Sequence, residues 1–116
     1  MTAETAMIES DVKKQCMILL SNRGALVQNN STGTLPTLYG DYIKVGLEGS
    51  ADIIACWRGR FLAIETKRPN RRGKKGGQQR NQELYEAAVK RAGGIYWLIK
   101  NVKELEEKLD ELERSL

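Results

Sequence analysis

Apolar residues in this chain recur in two periods, and the change from one to the other marks out its elements. Ile8, Val12, Cys16, Leu19 and Leu20 repeat every three to four positions, predicting an amphipathic helix over residues 3–22 that stops at Arg23–Gly24. Ala25–Gln28 is a short apolar run, read as a first strand, and the Asn/Ser/Thr/Gly/Pro-rich stretch Asn29–Tyr39 reads as a loop. A short extended piece is expected at Tyr42–Val45. Within Gly49–Lys67 two apolar runs then flank Arg58–Gly59, which predicts a hairpin with a two-residue turn. Beyond it, Leu84, Tyr85, Ala88, Val89 and Ala92 predict a helix over Gln78–Ala92, closed by Gly93–Gly94. Ile95–Ile99 reads as a core strand. Asn101 can cap a last helix reaching about Ser115, whose Val102, Leu105, Leu109, Leu112 and Leu116 form a heptad-like stripe. The stripe can pack on the chain's own sheet or on a second copy.

The order helix, strand, hairpin, helix, strand, helix predicts an α/β domain over residues 1–116, with a mixed central sheet of about four strands flanked by helices. With 116 residues, 41% apolar and 29% charged, the composition is that of one globular domain. There is no histidine, and Cys16 and Cys56 stand in unrelated contexts. This argues against zinc and excludes Ser-His and Cys-His nucleophiles. Both thiols are expected to be buried and reduced. No run has the length of a membrane span, and Glu4, Glu9 and Asp11 break up any signal-like N-terminus, so a cytoplasmic protein is expected.

The candidate chemistry lies in the hairpin. A two-residue turn makes opposed positions sum to 117, which sets Asp52 against Glu65, with Lys67 on the side of Glu65. Opposed like charges need compensation, and a divalent cation held by carboxylate oxygens would provide it. Lys67 could then orient a water or stabilise developing charge. Glu9 lies within the apolar arc of the first helix. It is either a first-turn acid favoured by the helix dipole or a further cation ligand, provided that helix packs on the carboxylates' face. Ser50 closes a turn or orients a ligand. Gln78 and Gln82 stack at the start of the second helix, as surface residues or as part of a site.

The net charge of +4 is modest, but Lys67–Arg80 holds seven Lys or Arg and no acid. Such a run is either a solvated loop or a grip for a polyanion such as nucleic acid.

Gly49-Ser-Ala-Asp52, the hairpin, Ile64-Glu65-Thr66-Lys67 and Gln82 eleven residues before Gly93 together resemble the VRR-NUC domain, a branch of the PD-(D/E)XK nuclease superfamily. The resemblance extends to Glu9 and to the Asn29–Gly33 loop. It implies a restriction-endonuclease-like core and a nuclease using Mg²⁺ or Mn²⁺ held by Asp52 and Glu65, with the Thr66 backbone carbonyl as a further contact. Lys67, Glu9 and Gln82 fall on the remaining motif positions. Stand-alone domains of this size imply a homodimer acting on branched DNA such as Holliday junctions; larger relatives imply flap cleavage. Ser50, Arg68, Arg71, Arg72, Lys74, Lys75 and Arg80 are the candidate DNA contacts. A non-catalytic nucleic-acid-binding module and an assembly protein built on the leucine stripe are the competing readings.

Overall fold

In a computed structural model, residues 9–30, 33–45, 49–66 and 77–116 are described. The elements are α1 (Glu9–Asn22), β1 (Leu26–Asn29), β2 (Gly33–Pro36), β3 (Tyr42–Val45), β4 (Ile53–Trp57), β5 (Arg60–Thr66), α2 (Gly77–Arg91), β6 (Ile95–Ile99) and α3 (Val102–Ser115). The central sheet has the order β1-β4-β5-β6. It is antiparallel through β5 and parallel between β5 and β6, where α2 makes the crossover. The α/β class and the four-stranded mixed sheet expected from the sequence are therefore found.

Local chemistry explains where the elements stop. The β4–β5 turn has positive φ at both central residues, Arg58 (51°) and Gly59 (78°), the twist that suits a two-residue hairpin. Trp57 pairs with Arg60 and Ile53 with Ile64, so the expected register holds along the whole ladder. α1 and α2 end alike. Gly24 and Gly93 take positive φ, and the next residues, Ala25 and Gly94, send their N–H groups back five positions to the carbonyls of Leu20 and Val89. Asn101 caps α3, its side chain accepting from Glu104 N–H at 2.8 Å.

Strand alternation divides the core in two. Ile53, Ala55, Trp57, Leu62, Ile64 and Ile99 pack with Val12, Cys16 and Leu20 of α1 and Leu105 and Leu109 of α3. The leucine stripe thus packs largely on the chain's own fold, leaving Leu116 exposed. Trp57 Nε1–H donates to the carbonyl of Arg23 at 3.0 Å, fastening the hairpin to the α1–β1 turn. On the opposite face Ala51, Ala63 and Val89 form a smaller core with Ile54, Tyr85 and Tyr96, under α2.

Two expectations need correction. The Asn29–Tyr39 stretch is not a plain loop: β2 pairs antiparallel with β3 as a separate two-stranded sheet. Its turn is closed by Thr37, whose Oγ1 accepts from the N–H groups of Tyr39 and Asp41, with Gly40 at φ 86°. Turn-forming residues at the ends of two four-residue strands dominate the composition and hide the pairing. Cys56 is the second correction, being exposed where Cys16 is buried. Alternation turns Cys56 away from the main core, onto a part of the sheet that α2 leaves open. Burial, and then the nearby Glu104 charge, push the Cys16 thiol up to about 11. One thiol per chain should react with Ellman's reagent at pH 8 in the native protein, and two after denaturation. Cys56→Ser should remove the native reaction.

Candidate active site

Asp52 and Glu65 meet at the end of the β4–β5 ladder. Asp52 stands one residue before the first paired position of β4, and Glu65 lies in β5 beside Leu98 of β6. Glu65 is 5% exposed and Thr66 fully buried. The two carboxylates are knit in crosswise. Glu65 Oε1 accepts from the N–H of Asp52 at 3.1 Å. Asp52 Oδ2 accepts from Thr66 N–H at 3.0 Å and from Thr66 Oγ1–H at 2.8 Å. The compensation expected for opposed like charges is thus partly internal, because each acid takes donors from the other's strand.

Gln82 adds the contribution of α2. Its Nε2 donates to Glu65 Oε2 at 3.0 Å and to the Tyr96 hydroxyl at 3.0 Å. Burial above all pushes the Tyr96 phenol up to about 12. The Gln82 hydrogen bond works against this, and the charges of Glu65, Glu86 and Asp52 add to it. Tyr96 is therefore a neutral phenol at physiological pH.

What brings α2 so near is Gly49, at φ 81°. A Cβ there would lie 2.4 Å from the backbone carbon and oxygen of Asn81 and 2.8 Å from the nitrogen of Gln82. From the other side, Asn30 Nδ2 donates to Ser50 Oγ at 2.6 Å and to the Ala51 carbonyl at 2.8 Å. Its N–H donates to the Asp52 carbonyl at 2.8 Å, so the end of β1 holds the segment that carries Asp52.

Of the expected site residues, Asp52, Glu65, Thr66 and Gln82 come together. Ser50 sits behind Asp52 in the bond to Asn30, and Arg80 is exposed on α2. Lys67, Arg68, Arg71, Arg72, Lys74 and Lys75 lie outside the described residues, as does the side chain of Glu9. α1 packs through Val12, Cys16 and Leu20 against the larger core. Its apolar stripe seeks the larger core, which leaves the α2 face to Ala63 and Val89. Among the described residues no group of three or more His, Cys, Asp or Glu is arranged to hold a metal. Tyr96, Asn30 and the Thr66 hydroxyl belong to the site but were not singled out from the sequence. The inclusion of Asn30 in the Asn29–Gly33 resemblance was the one available signal.

A solved structure titled "VRR_NUC domain" is similar over 88% of this chain and 94% of its own, with a TM-score of 0.57 and 18% identity. The chain has the VRR-NUC fold. The sequence itself matches no family model, and no curated protein matches it. In this VRR-NUC fold the knit carboxylate pair stands at the sheet end, with α2 over one side; the β2–β3 hairpin is inserted along the chain between β1 and β4, which pair directly. Among the described residues no helix is long and apolar enough to cross a membrane.

Proposed function

We propose that this chain is a divalent-cation-dependent, structure-selective DNA endonuclease that hydrolyses phosphodiesters in branched DNA such as Holliday junctions. The observation that carries the reading is the Asp52–Glu65 pair, held in place by Thr66 and Gln82 on a VRR-NUC fold.

The residues fit a hard cation. Their donors are carboxylate oxygens, each with lone-pair capacity beyond the hydrogen bonds it accepts, and no thiol or imidazole competes at the site. Asp52 and Glu65 would hold Mg²⁺ or Mn²⁺, with the Thr66 carbonyl and Glu9, directly or through water, completing the set. When bound, such a cation supplies Lewis acidity toward a phosphoryl oxygen and a more acidic water. Lys67, two residues beyond Glu65, orients the attacking water and stabilises charge on the phosphate. Gln82 keeps Glu65 aimed at the sheet end. Ser50, Arg68, Arg71, Arg72, Lys74, Lys75 and Arg80 bind the DNA backbone.

The reading includes a cytoplasmic homodimer of a single nuclease domain, since paired incision of a four-way junction needs two sites. The tip of the β2–β3 hairpin supports a second copy. Leu38, Tyr39 and Tyr42 are 99%, 91% and 71% exposed there, beside Asp41.

Cleavage of a labelled four-way junction with Mg²⁺ tests the role of Lys67. Lys67→Ala should cut at least about 100-fold more slowly than wild type while binding the junction in Ca²⁺. Equal rates would remove Lys67 from the chemistry.

A further inference from the structure

We infer that Tyr96 is a positioning residue that fixes the side-chain amide of Gln82 and, through it, the carboxylate of Glu65; its consequence for cation binding rests on the nuclease reading above. The Gln82 amide has two N–H protons. One acceptor is Glu65 Oε2 and the other the Tyr96 hydroxyl, each 3.0 Å from Nε2. A carboxylate can only accept, so the nitrogen must face Glu65, and the second proton is then directed at Tyr96.

The direction of control follows from what holds each side chain. Tyr96 is in β6, in parallel register with Ala63 of β5, two residues before Glu65 and on the same face of the sheet. Its ring packs against the Ala63–Val89 core and meets Tyr85 edge to face, with centroids 6.2 Å apart and planes at 65°. Tyr85 is three residues after Gln82, on the same side of α2. Tyr96 has two side-chain torsions and a packed ring, whereas Gln82 has three torsions and depends on its terminal amide for anchorage. The ring therefore sets the hydroxyl, the hydroxyl sets the amide, and the amide holds one oxygen of Glu65. The other oxygen is held by Asp52 N–H at 3.1 Å. Because the phenol is neutral, it orients the amide without placing another negative charge beside the two acids.

Tyr96→Phe keeps the ring and its edge-to-face contact while removing the hydroxyl. In the metal-free full chain, ¹H–¹⁵N spectra assigned by Gln82→Ala should show a dispersed Gln82 side-chain NH₂ pair. Tyr96→Phe should move this pair toward the positions of exposed glutamines. Calorimetric titration with Mg²⁺ should show roughly three- to tenfold weaker binding in Tyr96→Phe, the scale of one lost hydrogen bond. Added to Gln82→Ala, the same change should cost nothing further, since the amide through which Tyr96 acts is already gone. A merely structural tyrosine would weaken binding equally in both backgrounds. An unmoved NH₂ pair, or fully additive losses, would overturn the inference. Absence of Mg²⁺ binding by the wild type would count against the nuclease reading instead, and the amide spectrum would still decide the role of Tyr96.

Discussion

Glu65→Gln should slow Mg²⁺-dependent cleavage by on the order of 10³-fold or more in a protein that still folds. The substitution keeps the shape of a side chain that is 5% exposed and removes its charge. One oxygen remains to accept from Asp52 N–H, now bonded at 3.1 Å. The new amide nitrogen faces the Gln82 amide, which must rotate to offer its own oxygen and give up its donation to Tyr96. That rearrangement costs about one hydrogen bond, on the order of 1 kcal/mol, against the several kcal/mol expected in the transition state. Single-turnover cleavage and a thermal midpoint measured together separate the two effects. Cleavage within threefold of wild type would show that the Glu65 carboxylate is not part of the chemistry.

Gly49→Ala should be the most damaging small substitution near the site. Its Cβ would lie 2.4 Å from the backbone of Asn81, and a helix backbone cannot move aside as a side-chain tip can. Alanine is also strained at φ 81°. Strain and overpacking together should cost about 3 kcal/mol, lowering the thermal midpoint by roughly 10 °C or more in a domain of this size. Any relief obtained by shifting α2 outward carries Gln82 away from Glu65, so activity measured well below the midpoint should fall too. Asn81→Ala should not rescue the variant, because the clash is with backbone atoms. A Gly49→Ala protein with wild-type midpoint and activity would mean that α2 does not approach the Asp52 segment this closely.

The hairpin was legible because Arg58–Gly59 between two apolar runs leaves little freedom in turn length, and turn length fixes register. That register alone sets Asp52 against Glu65. Gln82 is marked by the VRR-NUC resemblance, through its place eleven residues before Gly93; helix spacing alone does not separate it from Gln78. Tyr96 was not legible. In Ile95–Ile99 every residue is apolar or aromatic, so alternation cannot say which face α2 will cover, and a tyrosine there reads as core. Cys56 failed for the same reason: an apolar strand with two faces is buried on both only if helices cover both fully. The β2–β3 hairpin is hidden by turn-forming residues, and the packing role of Gly49, though it stands in the Gly49-Ser-Ala-Asp52 motif, is hidden because a close approach between segments 32 residues apart leaves no mark in local sequence.

We propose that the pair of acids at the end of the β4–β5 ladder makes this VRR-NUC fold a metal-dependent nuclease. The most direct test is a panel of labelled four-way junctions, flaps, single strands and duplexes incubated with the protein in Mg²⁺, Mn²⁺, Ca²⁺ or EDTA. Branched DNA should be cut in Mg²⁺ or Mn²⁺, bound without cutting in Ca²⁺, and left intact in EDTA. Binding that ignores the cation, with no substrate cut under any condition, would contradict the claim and point to a non-catalytic nucleic-acid-binding module.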